Sequence, residues 1–487
     1  MKVLRGNSGN SILLAAVKAF TTISGILSTM IMSHALSLEL YGTFSQTNLI
    51  VTTATNLTAL GLVDAVNYFY NRSSDEKVQK AYINTIMGFQ AITGVIAGIL
   101  IIILSNNLVH YFDNPMLYNF IWLIAFRPLF VNLNVSLQYL QVSIGKAKSV
   151  AIRNAVFAML RLAIYAIAAL VLKDITIVLI VFLMFEVIIT AFFGWTFLKE
   201  KFMIKPYKID LSKASEILGY SVPMGVYVLT NSLCRDIDKV LIGGWCSTEQ
   251  YAIYANCATL LPFDIISASF LTILIPILTR YFSEKDYNRG RILFKSYLKI
   301  GYYTAFTFTV ACIILSDEMV LFLYGKKYIA GKSIFILYTI VDMIKFANMS
   351  IVLSASGKTK TLMIGSIASL GCNTVFNILF YRIFGFIGPA IATVLVTMML
   401  TVLLAEMSAK SLETSIWKLI EWKDFFCFIC ELAVAGIICA CVKRLLVQIG
   451  TNSTMRLFVL GGMYVIGILM FNRHKIVSTM NQLNKLH

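Results

Sequence analysis

Six basic residues, Lys18, Arg127, Arg161, Arg235, Lys239 and Lys345, interrupt stretches of sequence that are otherwise long and apolar. A charge inside such a stretch is costly to bury and marks a functional position by default. Grouped cations of this kind suit an anionic ligand. Arginine suits phosphate best, because its planar guanidinium donates two parallel hydrogen bonds. The acids in comparable positions are Glu186, Asp236, Asp238, Asp264 and Asp342. The competing reading is ion pairing within the protein. It applies to Asp342 with Lys345, three apart on one helix face, and to Arg235 and Lys239 with Asp236 and Asp238. Arg153 reads as a side chain that reaches back to the membrane surface. Lys18, Arg127 and Arg161 have no acidic neighbour one helical turn away, so they are the stronger candidates for an anion-accepting cavity.

Other chemistry finds little support. The histidines, His34, His110, His474 and His487, are scattered and lack metal-ligand spacing. Cys427 and Cys430 form a CxxC, but within an apolar run and away from any βαβ pattern that a redox motif would need. Gly357-Lys358-Thr359 resembles the end of a phosphate-binding loop. The glycine required five positions before Gly357 is Val352, and the preceding run is apolar. No cofactor and no metal are expected.

The elements that must position these residues are membrane helices. Of 487 residues, 58% are hydrophobic and 13% are charged, against about 25% charged in soluble domains. The expected fold class is an all-α polytopic membrane protein. Fourteen spans are expected, near 11–36, 41–69, 81–104, 116–144, 149–172, 175–198, 214–244, 248–279, 293–316, 332–355, 359–382, 385–408, 425–446 and 455–472. The first is a retained span, not a cleaved signal: it is too long, contains Lys18 and lacks a small-residue cleavage site. Pro128, Pro223, Pro262, Pro276 and Pro389 fall within spans and can kink them. The net charge of +17 resides mostly in loops. That distribution argues for positive-inside topology, not nucleic-acid binding. Asn71–Lys80, Lys199–Lys213, Arg280–Lys299 and Lys410–Asp424 become inner segments, and both termini become cytoplasmic. Lys326, Lys327 and Lys332 in one outer loop, and Lys443, Arg444 and Arg456 near another, run against the trend.

Two echoes imply an internal duplication. SLELYGTFSQ from Ser37 is answered by STEQYAIYAN from Ser247, 210 positions later. GKAKS from Gly145 is answered by GKTKT from Gly357, 212 positions later. Two echoes at nearly one spacing argue for a repeated unit. Spans 1–6 and 7–12 become two six-helix lobes, residues 1–205 and 206–410. An even number of spans makes the repeats parallel, related by a pseudo-twofold along the membrane normal. Residues 411–487 hold an interfacial helix around Leu412, Ile416, Trp417, Leu419, Ile420 and Trp422, two further spans and a cytoplasmic tail.

Spans 1 and 2 carry many hydroxyl and amide residues, including Ser24, Ser28, Thr29, Gln46, Asn48 and Thr58. They suit a water-filled path or, equally, hydrogen bonds between helices. With SVPMGVYVLTNSLCRDIDKVLIGGWCSTEQYAIYAN from Ser221 and SHALSLELYGTFSQTNLI from Ser33, the chain resembles the multidrug/oligosaccharidyl-lipid/polysaccharide exporter superfamily. Within it, the likeness is greatest to bacterial O-antigen and capsule repeat-unit flippases. Asp238-Lys239 followed by Gly243 and Tyr251-Ala252 is similar to that family's signature at the start of the second lobe. The resemblance implies a cavity between lobes lined by spans 1, 2, 7 and 8, in the bacterial cytoplasmic membrane. Its cargo would be an oligosaccharide on undecaprenyl pyrophosphate, moved by alternating access, with membrane lipids and other polysaccharide-assembly proteins as partners. Lys18, Arg127, Arg161, Arg235, Lys239 and Lys345 become substrate-binding candidates. Asp264, then Glu186, become candidates for coupling to a proton or sodium gradient. A multidrug exporter of the same superfamily is the first rival; its cationic drugs would call for an acidic cavity. A membrane polymerase or ligase is the second; it would call for a longer outer loop than Asp317–Gly331.

Overall fold

The computed structural model describes residues 8–72, 75–172, 174–198, 204–262, 274–275 and 277–485. The described residues are overwhelmingly helical, and ten stretches are long and apolar enough to cross a membrane. One of these, Lys360–Ser411, is two helices joined by a short turn. Large apolar side chains such as Ile188 and Ile437 point outward, 57% and 65% exposed. That surface is what lipid covers and water would not tolerate at this density. The chain is an all-α polytopic membrane protein.

The chain forms two compact units, Met1–Ala252 and Ile253–His487. The first contains α1 (Ser8–Ala35), α2 (Leu38–Ala59), α3 (Leu62–Arg72), α4 (Glu76–Ile103), α5 (Ser105–Tyr111), α6 (Leu117–Ala125) and α7 (Arg127–Ser143). It continues with α8 (Ala147–Ile167), α9 (Ile175–Leu198), α10 (Leu211–Trp245) and the first turns of α11 (Thr248–Cys257). Two expected spans are broken where the sequence reading ran them straight. Span 2 divides at Leu60 and Gly61, both with positive φ, into α2 and α3. Span 4 divides at Phe126 into α6 and α7. Pro128 sits in the first turn of α7, where its missing N–H costs nothing. The sequence showed the proline but not that a new helix starts there.

The break in span 2 allows a close crossing. A Cβ on Gly61 would lie 2.6 Å from the Gly225 nitrogen, and one on Gly225 would lie 2.7 Å from the Gly61 nitrogen. Gly225 follows Pro223 in α10. Asn56 Nδ2 donates to Ser232 Oγ at 2.6 Å above the crossing, and Tyr68 stacks on Tyr220 at 4.1 Å beyond it. Arg72 and Tyr82 both bind the Glu216 carboxylate, closing that end.

The two sequence echoes have matching local structure. Ser37 Oγ accepts the Leu40 amide, and Ser247 Oγ accepts the Gln250 amide, each at a helix start. Gly145 and Gly357 have φ of +85° and +75°. In both turns the following lysine amide bonds five residues back: Lys146 to Gln141 O and Lys358 to Leu353 O, each at 2.9 Å. In both, the glycine amide bonds three back, to Val142 O and Ser354 O. This is the Schellman helix ending, which requires a left-handed residue at glycine.

The second unit is built around α12 (Tyr287–Ile314), the most enclosed of the apolar helices. Around it are α13 (Ser316–Leu323), α14 (Lys332–Ile344), α15 (Ile351–Ala355), α16 (Thr359–Phe384), α17 (Gly388–Ser411), α18 (Ile416–Leu419), α19 (Trp422–Gln448), α20 (Ser453–Phe471) and α21 (Arg473–Lys485). Span 10 is also broken, between α14 and α15. The segment expected as an interfacial helix forms only the single turn α18. Ser415 and Ile420 on either side are extended, and Leu412 and Leu419 turn into the core. The expected tail is the helix α21, whose Thr479 and Leu483 are buried.

Ion clusters fasten α19 to the unit at both ends, one shared with α20 and the other with α21. At one end Glu318, 2% exposed, lies 2.8 Å from Lys443 and 3.1 Å from Arg456, while Asp317 pairs with Lys332 at 2.7 Å. At the other end Lys299 reaches Glu421 at 2.7 Å and Asp424 at 2.9 Å, and Lys475 reaches Asp424 at 3.2 Å. These pairs account for three of the basic residues that ran against the loop bias: Lys332, Lys443 and Arg456 are neutralised locally. Burial pushes the Asp317 carboxyl up, but Lys332 and Lys443 outweigh it, so the net direction is down from 3.8. Hydrogen bonds from Lys299 lead in lowering Glu421 from 4.5. A carboxylate lowered on folding stabilises above its ordinary value and loses that contribution as pH falls through the folded value. Through these carboxylates both clusters loosen in acid. Glu318→Ala is expected to lower the thermal midpoint of the purified protein at neutral pH, by about 3–5 kcal/mol of stability, because it leaves Lys443 and Arg456 without their buried acid. An unchanged midpoint would contradict this role.

Candidate functional site

The helices α1, α7, α8 and α9 of the first unit enclose a cavity of about 480 Å³. Ser24, Ser28 and Thr29 face it from α1, and Asn134 and Gln138 from α7. Asn154, Arg161 and Tyr165 face it from α8, and Glu186 from α9. Phe44 and Phe157 supply aromatic surface. The hydroxyls of α1 are partly tied down: Ser24 donates to Ala158 O at 3.0 Å and Ser28 to Ser24 O at 2.8 Å. Three amides form a chain along the wall. Asn154 Nδ2 donates to Gln138 Oε1, and Gln138 Nε2 donates to Asn134 Oδ1, each at 3.0 Å.

Glu186 is held from behind. Arg127 Nη2 lies 2.9 Å from Glu186 Oε1, and Arg127 Nε lies 3.3 and 3.2 Å from the two carboxylate oxygens. Arg127 Nη1 donates to Asn48 Oδ1 at 3.3 Å, and the guanidinium lies 5.0 Å from the Phe182 ring centre. The two side chains are 7% and 8% exposed. Such a pair is secured by its geometry, and losing one partner strands the other charge. Arg161 differs. It is exposed, lies 5.6 Å from the same Phe182 ring, and has no ion pair among the described residues. With Arg127 and Glu186 cancelling, the described side chains of the cavity wall carry one net positive charge.

The sequence candidates thus fall in different places. Arg127 and Glu186, expected in separate roles, are brought together, and Arg161 joins Glu186 on the same cavity. Arg235 and Lys239 lie on α10 and flank Asp236, at 3.7 and 3.1 Å. Asp238 beside them is buried. Lys345 lies in the second unit, exposed, just past α14. Asp342 Oδ2 accepts the Leu261 amide at 2.8 Å. Lys18 lies within α1, but its side chain is outside the described residues, as is Asp264 altogether. The polar residues of α2 serve mainly as internal hydrogen bonds: Gln46 accepts from Asn114 at 2.7 Å, and Thr58 donates to Ala54 O at 2.7 Å. The sequence reading missed Asn134, Gln138 and Asn154. Their signal was present: Asn134 and Gln138 are four apart, and Asn154 and Arg161 seven apart, on one face of each helix.

The model of the family described as polysaccharide biosynthesis protein matches residues 31–332. No curated protein sequence matches the chain. The fold is similar to that of the lipid II flippase MurJ in an inward closed conformation, with a TM-score of 0.75 at 16% identity, covering 96% of this chain and 100% of that one. It is also similar to an inward-facing multidrug resistance MATE family transporter of the MOP superfamily, with a TM-score of 0.66 at 13% identity over 83% and 98% of the two chains. A MOP superfamily transporter from Pyrococcus furiosus, reported with a binding pocket of reverse polarity, matches with a TM-score of 0.58 at 13% identity over 83% and 94%. The chain belongs to the polysaccharide biosynthesis protein family.

Proposed function

We propose that this protein carries a lipid-linked oligosaccharide, an undecaprenyl-pyrophosphate-linked repeat unit, across the bacterial cytoplasmic membrane for polysaccharide assembly. The observation that carries the reading is Arg161, a cation with no ion pair among the described residues, on a cavity of hydroxyl and amide groups among membrane helices. Family membership and a fold shared with a lipid II flippase support it. The glycan and its charged head travel through protein while the lipid tail stays in the bilayer. Both termini are cytoplasmic. Two six-helix lobes, 1–205 and 206–410, rock about a pseudo-twofold along the membrane normal, with 411–487 as an appendix. On that division α10 opens the second lobe, and rocking parts it from α2 and α3 at the Gly61–Gly225 crossing. Glu186 is the described candidate for ion coupling, since a proton on its carboxylate would release Arg127; Asp264 is the other.

A cation-coupled multidrug exporter is the second reading, favoured by the likeness to the MATE transporter. The net positive cavity weighs against it, because cationic drugs need the opposite charge. An enzyme acting on lipid-linked sugars is disfavoured because α13 and a short 3₁₀ turn occupy most of the Asp317–Gly331 segment, which leaves little loop for catalytic groups. The test is deletion in the host followed by analysis of lipid-linked intermediates. Complete repeat units on the cytoplasmic leaflet are expected. Incomplete units would point to an enzyme, and unchanged intermediates would reject the reading.

A further inference from the structure

The described walls of the first unit's cavity offer little net charge to a pyrophosphate head and more to the glycan it carries. Among the described residues Arg127 and Glu186 cancel, which leaves Arg161 as one net positive charge, and the Glu186 carboxylate itself faces the space. A pyrophosphate brings two or more negative charges and would meet that carboxylate. Desolvating such a head needs clustered positive charge, which the described side chains of these walls do not supply. A single carboxylate is balanced by Arg161 alone.

The neutral groups select further. The amide chain through Gln138 leaves the Asn134 amide nitrogen as a donor at one end. It leaves the Asn154 amide oxygen as an acceptor at the other. Neither end has a partner among the described residues. Sugar hydroxyls both donate and accept, so a ring can bridge the two ends. Tyr165 and Phe157 offer apolar surface for the C–H face of such a ring. A volume of about 480 Å³ lies in the range of small-molecule pockets.

We propose that this cavity binds a monoanionic sugar residue, a uronate-type ring, within the glycan portion of the substrate. Its carboxylate pairs with Arg161, and its hydroxyls engage the Asn134–Gln138–Asn154 chain. The proposal rests on the transport reading for its biological meaning, yet binding can be measured without transport.

The test is calorimetric titration of the full-length protein in lipid nanodiscs with three soluble probes: a glucuronate-containing disaccharide, its neutral glucose counterpart and inorganic pyrophosphate. The acidic disaccharide is expected to bind, and neither the neutral disaccharide nor pyrophosphate should displace it. Arg161→Ala should weaken binding at least about tenfold, the loss expected for one charge-assisted hydrogen bond, and Arg161→Lys should recover part of it. Equal binding of the neutral disaccharide, displacement by pyrophosphate, or unchanged affinity in Arg161→Ala would each overturn the assignment. Binding of the acidic probe by a protein that moves no lipid-linked glycan would instead reject transport and leave the cavity assignment standing.

Discussion

Arg127→Ala is expected to yield far less folded protein and a markedly lower thermal midpoint than wild type. The substitution leaves Glu186 charged, buried and without its two-point partner. Removing one member of a buried pair costs about 3–5 kcal/mol, whereas replacing both with apolar residues of similar size is often neutral. Arg127→Met combined with Glu186→Leu should therefore recover the midpoint. Arg161→Ala should fold as wild type, since its guanidinium is exposed and has no ion pair among the described residues. A normal midpoint for Arg127→Ala, or failure of the double variant to recover, would show that the pair does not hold α7 to α9.

Gly225→Ala is expected to disrupt the apposition of α10 with α2 and α3. The added carbon would lie 2.7 Å from the Gly61 nitrogen and 2.8 Å from Leu60 Cα. Both are backbone atoms and cannot rotate away, so the helices must separate. Overpacking of this kind typically costs about 1–3 kcal/mol. The hydrogen-bonded neighbours Asn56 and Ser232 provide the readout. With the nine native cysteines replaced, Asn56→Cys and Ser232→Cys should be bridged by a short bifunctional thiol reagent in the parent protein. Bridging should fall severalfold when Gly225→Ala is added. An unchanged yield would mean that the crossing is not maintained by these glycines.

The membrane helices were legible because long apolar runs have few other homes. The GKAKS and GKTKT echoes marked turns that prove to share one hydrogen-bond pattern, since a left-handed glycine leaves a local signature. The breaks at Leu60–Gly61 and Phe126 were less legible, because an apolar run continues through them and only the local backbone reveals them. The role of Arg127 was hidden for a different reason. Its acid lies 59 positions away on another helix, and a search one helical turn along the chain cannot find a partner supplied by tertiary packing. Arg161 was legible as an unpaired cation for the converse reason: nothing near in sequence or among the described residues in space neutralises it. The amides Asn134, Gln138 and Asn154 were less legible because a neutral amide costs less than a charge in an apolar run, although their spacing places them on the cavity-facing sides of α7 and α8.

The most direct test of the central claim is translocation by the purified protein in liposomes. An undecaprenyl-pyrophosphate-linked oligosaccharide containing a uronate and a fluorescent sugar would be placed in both leaflets, and a membrane-impermeant quencher added outside. The account predicts that wild-type protein carries the inner-leaflet label to the quencher much faster than protein-free liposomes do, and that Arg161→Ala does not. Quenching by wild type that stops at the outer leaflet, as in protein-free liposomes, would contradict it.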